Sequence, residues 1–190
     1  SSIMPYYAIP CNEKSSVPQA PFDRPFDEEI AFAYNKQFIT ELLRDTLGFD
    51  GYVNSDTGVL SGMAWGAEEM TKPQRAAKVL MAGTDMVSGE ADPKPFLDAI
   101  KEKLVDQETV DRALVRLLKE LFALGLFENP YVEESREKST LRCQAHKDVA
   151  LQIARESICL LKNDRNLLPL SKNLKTVAVL GPAADEPALG

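Results

Sequence analysis

The sequence predicts an α/β fold in which parallel strands alternate with helices. Three times in the first 127 residues, a short apolar run is followed by a long polar loop and then by an amphipathic helix. Such alternation is typical of parallel strands joined by crossover helices. The loops after the strands are long, whereas the connections from helix back to strand are short. This asymmetry favours a (β/α)8 barrel, although a doubly wound sheet shares part of it and three strands cannot close a barrel.

The first unit begins with an apolar run over residues 2–7 that predicts a strand. Four prolines interrupt the loop 8–26, and a loop of this length is often functional. Asp27 is the predicted N-cap of the next helix, in which apolar residues recur at helical spacing over 30–43. Gly48 is the predicted left-handed residue that ends this helix.

The second unit comprises a strand over 51–55, a glycine-rich loop over 57–72 and a helix over 73–82. Pro73 suits the first turn of that helix because its missing N–H has no partner there in any case. Gly83 is predicted to end the helix, as Gly48 ends the preceding one.

The third unit continues with a strand over 84–87, a short helix over 95–104 and a longer helix that Asp106 caps and Gly125 ends. The apolar residues of the longer helix keep the 3.6-residue period and are predicted to face the core. They are Val110, Leu114, Leu117 or Leu118, and Leu121.

After this unit the alternation stops. The polar stretch 128–138 predicts a linker, a helix follows over 141–158, and a strand is predicted over 176–180. A new α/β domain is expected to start there, so the sequence looks cut at both ends. The lone glycine in the segment GPAAD is not a nucleotide-binding loop, since it lacks the GxGxxG spacing.

The composition, with 44% hydrophobic and 27% charged residues, is that of a soluble globular protein. A net charge of −7 argues against binding to nucleic acid, which requires a basic face. No apolar run approaches the roughly 20 residues that cross a bilayer, and no signal peptide is visible. Cys11, Cys143 and Cys159 form no CxxC pair, so neither a zinc site nor a redox motif is predicted.

Four segments, in order, resemble glycoside hydrolase family 3, the family of the two-domain β-glucosidases. LLRDTLGFDGYVNSD resembles the segment around the catalytic nucleophile, and AAKVLMAGTDMV resembles the helix and eighth barrel strand that follow. LFALGLFENPY is similar to the segment that closes the barrel domain. ARESICLLKNDRNLLPLSKNLKTVAVLGPAAD is similar to the bridge into the second domain, an α/β sandwich.

The resemblance implies a chain that begins near the sixth barrel strand and stops just inside the second domain. Residues 1–127 would form the C-terminal portion of the barrel, 128–157 a linker with a helix, and 158–190 the truncated start of the sandwich. The remainder of the parent chain would then complete the barrel. It would also supply further sugar-binding residues and the general acid/base.

Asp56 comes directly after the second predicted strand. A carboxylate at the C-terminal end of a barrel strand is held rigidly and faces the pocket, and a retaining glycosidase needs one beneath the anomeric carbon. Taken alone, the residues favour an aspartate that caps the next turn. The resemblance instead assigns Asp56 as the nucleophile.

Four further residues are candidates for substrate binding. The resemblance matches Tyr7 to a family tyrosine close to the nucleophile, with a core tyrosine as the alternative. Thr57 departs from the family, in which many members carry a flanking tryptophan, so the subsite is expected to be either wider or walled by another residue. Trp65, the only tryptophan, can either take the place of that ring beside the sugar or pack as a hydrophobic side chain under its own loop. Glu90 is a possible sugar contact or, more simply, a solvated loop carboxylate.

Three other residues receive lesser roles. Asp92 shares the loop of Glu90 and the same two interpretations. Asp85, within the third strand, is predicted to be structural and to tie barrel layers or loops together. His146, the only histidine, begins the linker helix and is assigned no catalytic role.

The resemblance thus implies a retaining β-glucosidase that acts on terminal non-reducing sugars of a glycoside or oligosaccharide, with neither cofactor nor metal. A β-xylosidase of the same family is the alternative that Thr57 suggests. A non-catalytic truncated fragment is the alternative from another class, and the isolated chain is expected to be inactive. A periplasmic or secreted location is common in the family, but the residues themselves do not indicate one.

Overall fold

This computed structural model describes residues 1–14, 24–182 and 184–185 and contains three short segments of parallel backbone in its first part. Strand β1 (Ser2–Ile3) pairs in parallel with β2 (Tyr52–Val53). Asn54 then forms an isolated parallel bridge with Met86. The predicted parallel order of the three segments is therefore confirmed.

The segments are shorter than the strands predicted over 2–7, 51–55 and 84–87. Pro5 has no N–H to donate to a ladder, which helps to explain why β1 stops at Ile3. The third segment pairs only through Met86, although the backbone N–H groups of Asp85 and Met86 both donate to the carbonyl of Val53, at 2.9 and 3.0 Å.

The first predicted helix begins later than expected and is of another type. A 3-10 helix spans Phe32–Tyr34, and a π-helix spans Gln37–Thr46. Asp27 is not the N-cap, because the two helices begin after Ala31 and Lys36; the N–H of Asp27 instead donates to Oε1 of Gln37 at 2.9 Å. Gly48 does end the helix in the left-handed region, with a φ of +71°, as predicted.

The next three helices match their predictions closely. Helix α1 (Lys72–Ala82) begins with a capping box between Thr71 and Gln74 and ends at Gly83, whose φ is +97°. Helix α2 (Lys94–Lys101) ends three residues early, since Lys103 takes a positive φ of 59°. Helix α3 (Gln107–Ala123) follows the predicted cap, with the side chain of Asp106 accepting the Thr109 N–H at 2.7 Å.

The core of the first unit, Ser1–Tyr131, lies around α1. Tyr34 and Leu60 are among its largest fully buried side chains, and Ala76, Val79 and Ala99 contribute from the helices. The predicted inner face of α3 is only partly correct: Val110 packs against the core and Leu117 and Leu118 are half-buried, whereas Leu114 and Leu121 are 48% and 38% exposed. The buried residues of this helix are Thr109 and Ala113.

The second unit, Val132–Gly190, contains a 3-10 helix (Glu134–Arg136), α4 (Glu137–Thr140) and α5 (Gln144–Glu156). None of its described residues is buried. The strand predicted over 176–180 is absent, and Val177, Val179 and Leu180 are exposed. A strand requires a neighbouring strand for its hydrogen bonds, and none of the described residues provides one.

None of the described helices has the length and apolar character to cross a membrane.

Asp85 connects the strands to two helices. Its carboxylate accepts the Val53 N–H at 2.8 Å, Nη2 of Arg44 at 2.6 Å and Nη1 of Arg116 at 2.8 Å. The side chain of Asp85 is 1% exposed and that of Arg44 is 8% exposed. The structural role predicted for Asp85 is thus confirmed.

We expect Asp85→Asn to lower the free energy of unfolding by about 3 kcal/mol, because loss of the carboxylate leaves the buried Arg44 without its counter-charge. Urea denaturation followed by far-UV circular dichroism measures this change. The control is Asp98→Asn, which removes an exposed ion pair with Lys94 and should cost less than about 1 kcal/mol. Equal costs for the two variants would refute the role of Asp85.

Candidate active site

Asp56 lies just beyond the carboxyl end of β2, where the three parallel segments meet. Ser55 is fully buried, its N–H donates to the carbonyl of Met86 at 2.8 Å, and its hydroxyl donates to the carbonyl of Asp56 at 2.8 Å. The backbone that carries Asp56 is therefore fixed. Its half-buried side chain accepts the N–H of Thr57 at Oδ1 over 2.7 Å, a contact that also suits a turn cap.

Tyr7 lies beside Asp56, as the sequence resemblance implied. Its phenol donates to the carbonyl of Thr57 at 2.5 Å. The pKa of Tyr7 is raised above its ordinary value, mainly by desolvation and further by a hydrogen bond to Asp56 and by the negative charge of that carboxylate. The neighbouring Tyr6 is 72% exposed.

Thr57 contacts the loop that follows the third parallel segment. A Cβ added to Gly89 would lie only 2.4 Å from Cγ2 of Thr57, and Gly89 has a positive φ of 73°. The N–H of Gly58 also donates to the carbonyl of Ser88 at 3.1 Å. Glycine is therefore needed at position 89 for the two loops to approach each other.

Trp65 stands next to Tyr7, with ring centroids 5.2 Å apart and planes inclined by 56°. Its carbonyl accepts the N–H of Ala31 at 3.0 Å, which anchors the loop to the core. The indole is still 39% exposed. The ring is thus supported on one side and open to solvent on the other.

Glu90 is more engaged than a freely solvated loop carboxylate. Its side chain is 11% exposed, its Oε2 accepts the hydroxyl of Ser61 at 2.6 Å, and Nζ of Lys72 lies 3.9 Å away. Asp92, by contrast, accepts the N–H of Lys94 and so supports the start of α2. The solvated alternative is therefore wrong for Glu90.

Sequence reasoning missed the polar contacts that join the ends of the second and third segments. The Ser88 hydroxyl donates to Oδ1 of Asn54 at 2.9 Å, and the Ser88 N–H donates to Oγ of Ser55 at 3.2 Å. The only available signal was that polar residues follow two neighbouring strands, whose carboxyl ends meet at one edge.

No cluster of histidine, cysteine or carboxylate side chains within residues 1–14, 24–182 and 184–185 could hold a metal ion. The phenol of Tyr7 lies beside Asp56, the indole of Trp65 lies against that phenol, and the hydroxyl groups of Ser55 and Thr57 belong to the neighbouring residues. The arrangement places one carboxylate beside aromatic and hydroxyl groups, which suits polar ligands that also present an apolar face.

Parallel segments whose carboxyl ends carry the candidate side chains define the class of α/β proteins with a site at that edge. The family model for the glycosyl hydrolase family 3 N terminal domain matches residues 9–119, more than half of the chain. The chain therefore belongs to glycoside hydrolase family 3. The N-terminal domain of this family has a TIM-barrel-type fold, although the chain itself is mostly helical with a small sheet.

Relatives in this family are named as glycosidases. A probable β-glucosidase C of Aspergillus oryzae is 35% identical over 90% of this chain and 27% of its own length. A putative β-xylosidase of Formosa agariphila is 36% identical over 80% of this chain and 21% of its own. A solved β-glucosidase involved in saponin metabolism, from intestinal bacteria, matches 74% of this chain and 19% of its own, with 30% identity and a TM-score of 0.65. The chain thus spans about a quarter of the length of these curated relatives.

We expect Asp56→Asn to lower the pKa of Tyr7, because the neutral amide removes the negative charge that disfavours the phenolate. Desolvation remains in the variant, so the pKa should stay above that of a free tyrosine. NMR titration of ¹³C-labelled tyrosines between pH 8 and 12 measures the change.

Glu90→Gln is the matched control for this titration, because it neutralises a different carboxylate of the same loops. The pKa of Tyr7 should be the same in this variant as in the unchanged chain. A Tyr7 titration that Asp56→Asn does not move would show that the two side chains are not in contact in solution.

Proposed function

We propose that the chain forms part of a retaining β-glycosidase of the β-glucosidase type, with Asp56 as the nucleophile. The observation that carries the proposal is the position of Asp56, half-buried at the carboxyl end of β2 on a backbone anchored by Ser55. Strand ends of this kind hold catalytic groups rigidly while leaving them open to a pocket. The family and the names of its relatives support the reaction class.

In the proposed reaction the Asp56 carboxylate attacks the anomeric carbon while the bond to the leaving oxygen breaks. A second carboxyl group, about 5 to 5.5 Å away in retaining enzymes, gives its proton to that oxygen. The resulting glycosyl ester on Asp56 is then hydrolysed by water, which the second group deprotonates. We assign the second group to the remainder of the parent chain.

The neighbours of Asp56 are proposed to bind the sugar. The Tyr7 phenol can orient the carboxylate, and the exposed side of the Trp65 ring suits stacking against a pyranose face. Thr57 and Glu90 complete the proposed subsite, with Glu90 accepting a sugar hydroxyl in place of the Ser61 hydroxyl.

For the fold, we propose that residues 1–127 are the C-terminal portion of a (β/α)8 barrel, followed by a linker over 128–157 and the start of an α/β sandwich over 158–190. The parallel order of the three segments and the unfilled edges of the small sheet support this proposal. Exposed apolar side chains of α3, such as Val115 and Phe122, would then be covered by the rest of the parent chain.

A β-xylosidase is the second candidate. Thr57 favours it, because this small side chain is exposed where many family members carry a tryptophan that flanks the sugar. The similarity to the Formosa agariphila relative also supports it. Hydrolysis of p-nitrophenyl glucoside and p-nitrophenyl xyloside by the parent enzyme separates the two candidates.

The nucleophile is tested by trapping the full-length parent enzyme with a 2-deoxy-2-fluoro glycoside and mapping the label by mass spectrometry. We expect the label on the peptide that contains Asp56. Asp56→Asn should lower kcat by at least about a thousandfold, whereas the nearby Asp92→Asn should change it little. A label elsewhere in an active parent would show that Asp56 is a structural cap.

The isolated 190-residue chain is expected to show no turnover of p-nitrophenyl glycosides, because one carboxylate cannot serve as both nucleophile and proton donor. The same preparation of Asp56→Asn controls for contaminating glycosidases. Turnover that the chain shows and Asp56→Asn lacks would contradict the need for the rest of the parent.

A further inference from the structure

The loop over 57–71 leads into α1 and carries Trp65, whose ring lies against Tyr7. Both its first half, 57–63, and its second half, 64–71, are partly built into the hydrophobic core. The buried residues are Val59, Leu60, Ala64 and Ala67. Compact loops that pack through their own side chains are frequently functional. The contacts that hold this loop therefore decide where the Trp65 ring stands.

Arg75, in the first half of α1, binds this loop at three points. Its Nε donates to the carbonyl of Ala67 at 2.9 Å, and its two terminal nitrogens donate to the carbonyls of Leu60 and Glu68, each at 2.8 Å. Leu60 belongs to the first half of the loop, whereas Ala67 and Glu68 belong to the second half. One guanidinium therefore joins the two halves, and Trp65 lies in the segment between its binding points.

The shape of the guanidinium allows three carbonyls to be bound at once. An arginine presents its donors in one plane with fixed directions, whereas a lysine offers a single ammonium group on a flexible stem. Hydrogen bonds from a charged donor are also stronger than those between neutral groups. Loss of Arg75 would remove the donor to the carbonyl of Leu60, a fully buried residue, and an unpaired buried carbonyl is costly.

Two further contacts fix the backbone around Trp65. Its carbonyl accepts the Ala31 N–H at 3.0 Å. Gly66 has a positive φ of 83°, and a Cβ at that position would lie 2.9 Å from Cα of Ile30, so glycine allows the close approach. Both contacts act on the second half of the loop, whereas Arg75 binds both halves.

We propose that Arg75 is a positioning residue for substrate binding, which holds the Trp65 indole beside Tyr7 in the proposed glycoside site. This role rests on the function proposed above, in which the exposed side of that ring stacks on a sugar. The three hydrogen bonds of Arg75 go to the loop backbone, so Arg75 acts through Trp65. A ring that is already in place loses less conformational freedom when the sugar binds, which favours affinity.

The fluorescence of Trp65 tests whether Arg75 holds the ring, because this is the only tryptophan of the 190-residue chain. Arg75→Lys keeps the charge and removes the planar fork. We expect its emission to shift to longer wavelength and acrylamide to quench it about twice as strongly, because an indole that is 39% exposed gains access to solvent.

Arg112→Lys is the matched control for the fluorescence measurement. It makes the same substitution on α3, where Arg112 forms an exposed pair with Glu108, and it should leave the emission unchanged. Far-UV circular dichroism separates local loosening of the loop from unfolding. Arg75→Gln is the second variant, and the kinetic comparison below decides if neither Arg75 variant of the chain is folded.

Kinetics of the full-length parent enzyme test whether the role concerns binding. Arg75→Lys should raise KM for p-nitrophenyl glucoside by about fivefold, the value of one aromatic contact, and should change kcat little. In a Trp65→Ala background the same substitution should have no further effect on KM, because the ring through which Arg75 acts is gone. A merely structural role would lower kcat or the yield of folded enzyme in both backgrounds.

Two results would overturn this role of Arg75. The first is an emission and quenching of Trp65 that Arg75→Lys leaves unchanged. The second is an increase in KM by the same factor with and without the Trp65 ring. A parent that hydrolyses neither p-nitrophenyl glucoside nor p-nitrophenyl xyloside would refute the proposed function and the binding role with it, while the emission would still show whether Arg75 holds the ring.

Discussion

The buried carboxylate of Asp85 is the interaction on which the arrangement of the first unit depends. A charge removed from water must be paired and hydrogen-bonded, and Asp85 meets this requirement with Arg44, Arg116 and the Val53 N–H. These partners belong to three different elements. Val53 lies three residues before Asp56. The carboxylate that joins the helices to the sheet therefore also helps to fix the position of the strand end that carries the candidate nucleophile.

Beyond the strand ends, polar contacts between the loops hold the segments together in place of strand pairing. Ser55 and Ser88 link the second and third segments where regular pairing stops, and the missing side chain of Gly89 lets the loops approach at Thr57. Loops held in this way can carry functional groups without the flexibility that exposed connections usually have. These contacts hold the backbone at Asp56, whose side chain remains partly exposed.

Features that local chemistry determines were predictable from the sequence. The cap at Asp106 and the helix ends at Gly48 and Gly83 depend on neighbouring residues only, and all three are confirmed. The strand predicted over 176–180 is wrong, because a strand depends on a partner strand that is distant in sequence. The π-helix was missed, because its apolar spacing also fits an ordinary α-helix. The need for distant partners also limits the prediction of the site. The strand end at position 56 can be predicted from the residues alone, whereas the proximity of Tyr7 to Asp56 comes only from the family resemblance and from the fold.

The groups around Asp56 also indicate what a complete site would still require. Tyr7 is a weaker acid than free tyrosine, since desolvation and the nearby carboxylate both raise its pKa. A phenol of this kind keeps its proton at neutral pH and so fits a role in orienting Asp56 better than one in protonating a leaving group. Glu90 already accepts the hydroxyl of Ser61 and lies 3.9 Å from Nζ of Lys72, so its carboxylate is engaged by the loops around it. The proton donor of the proposed reaction is therefore better sought in the part of the family's fold that lies outside these residues.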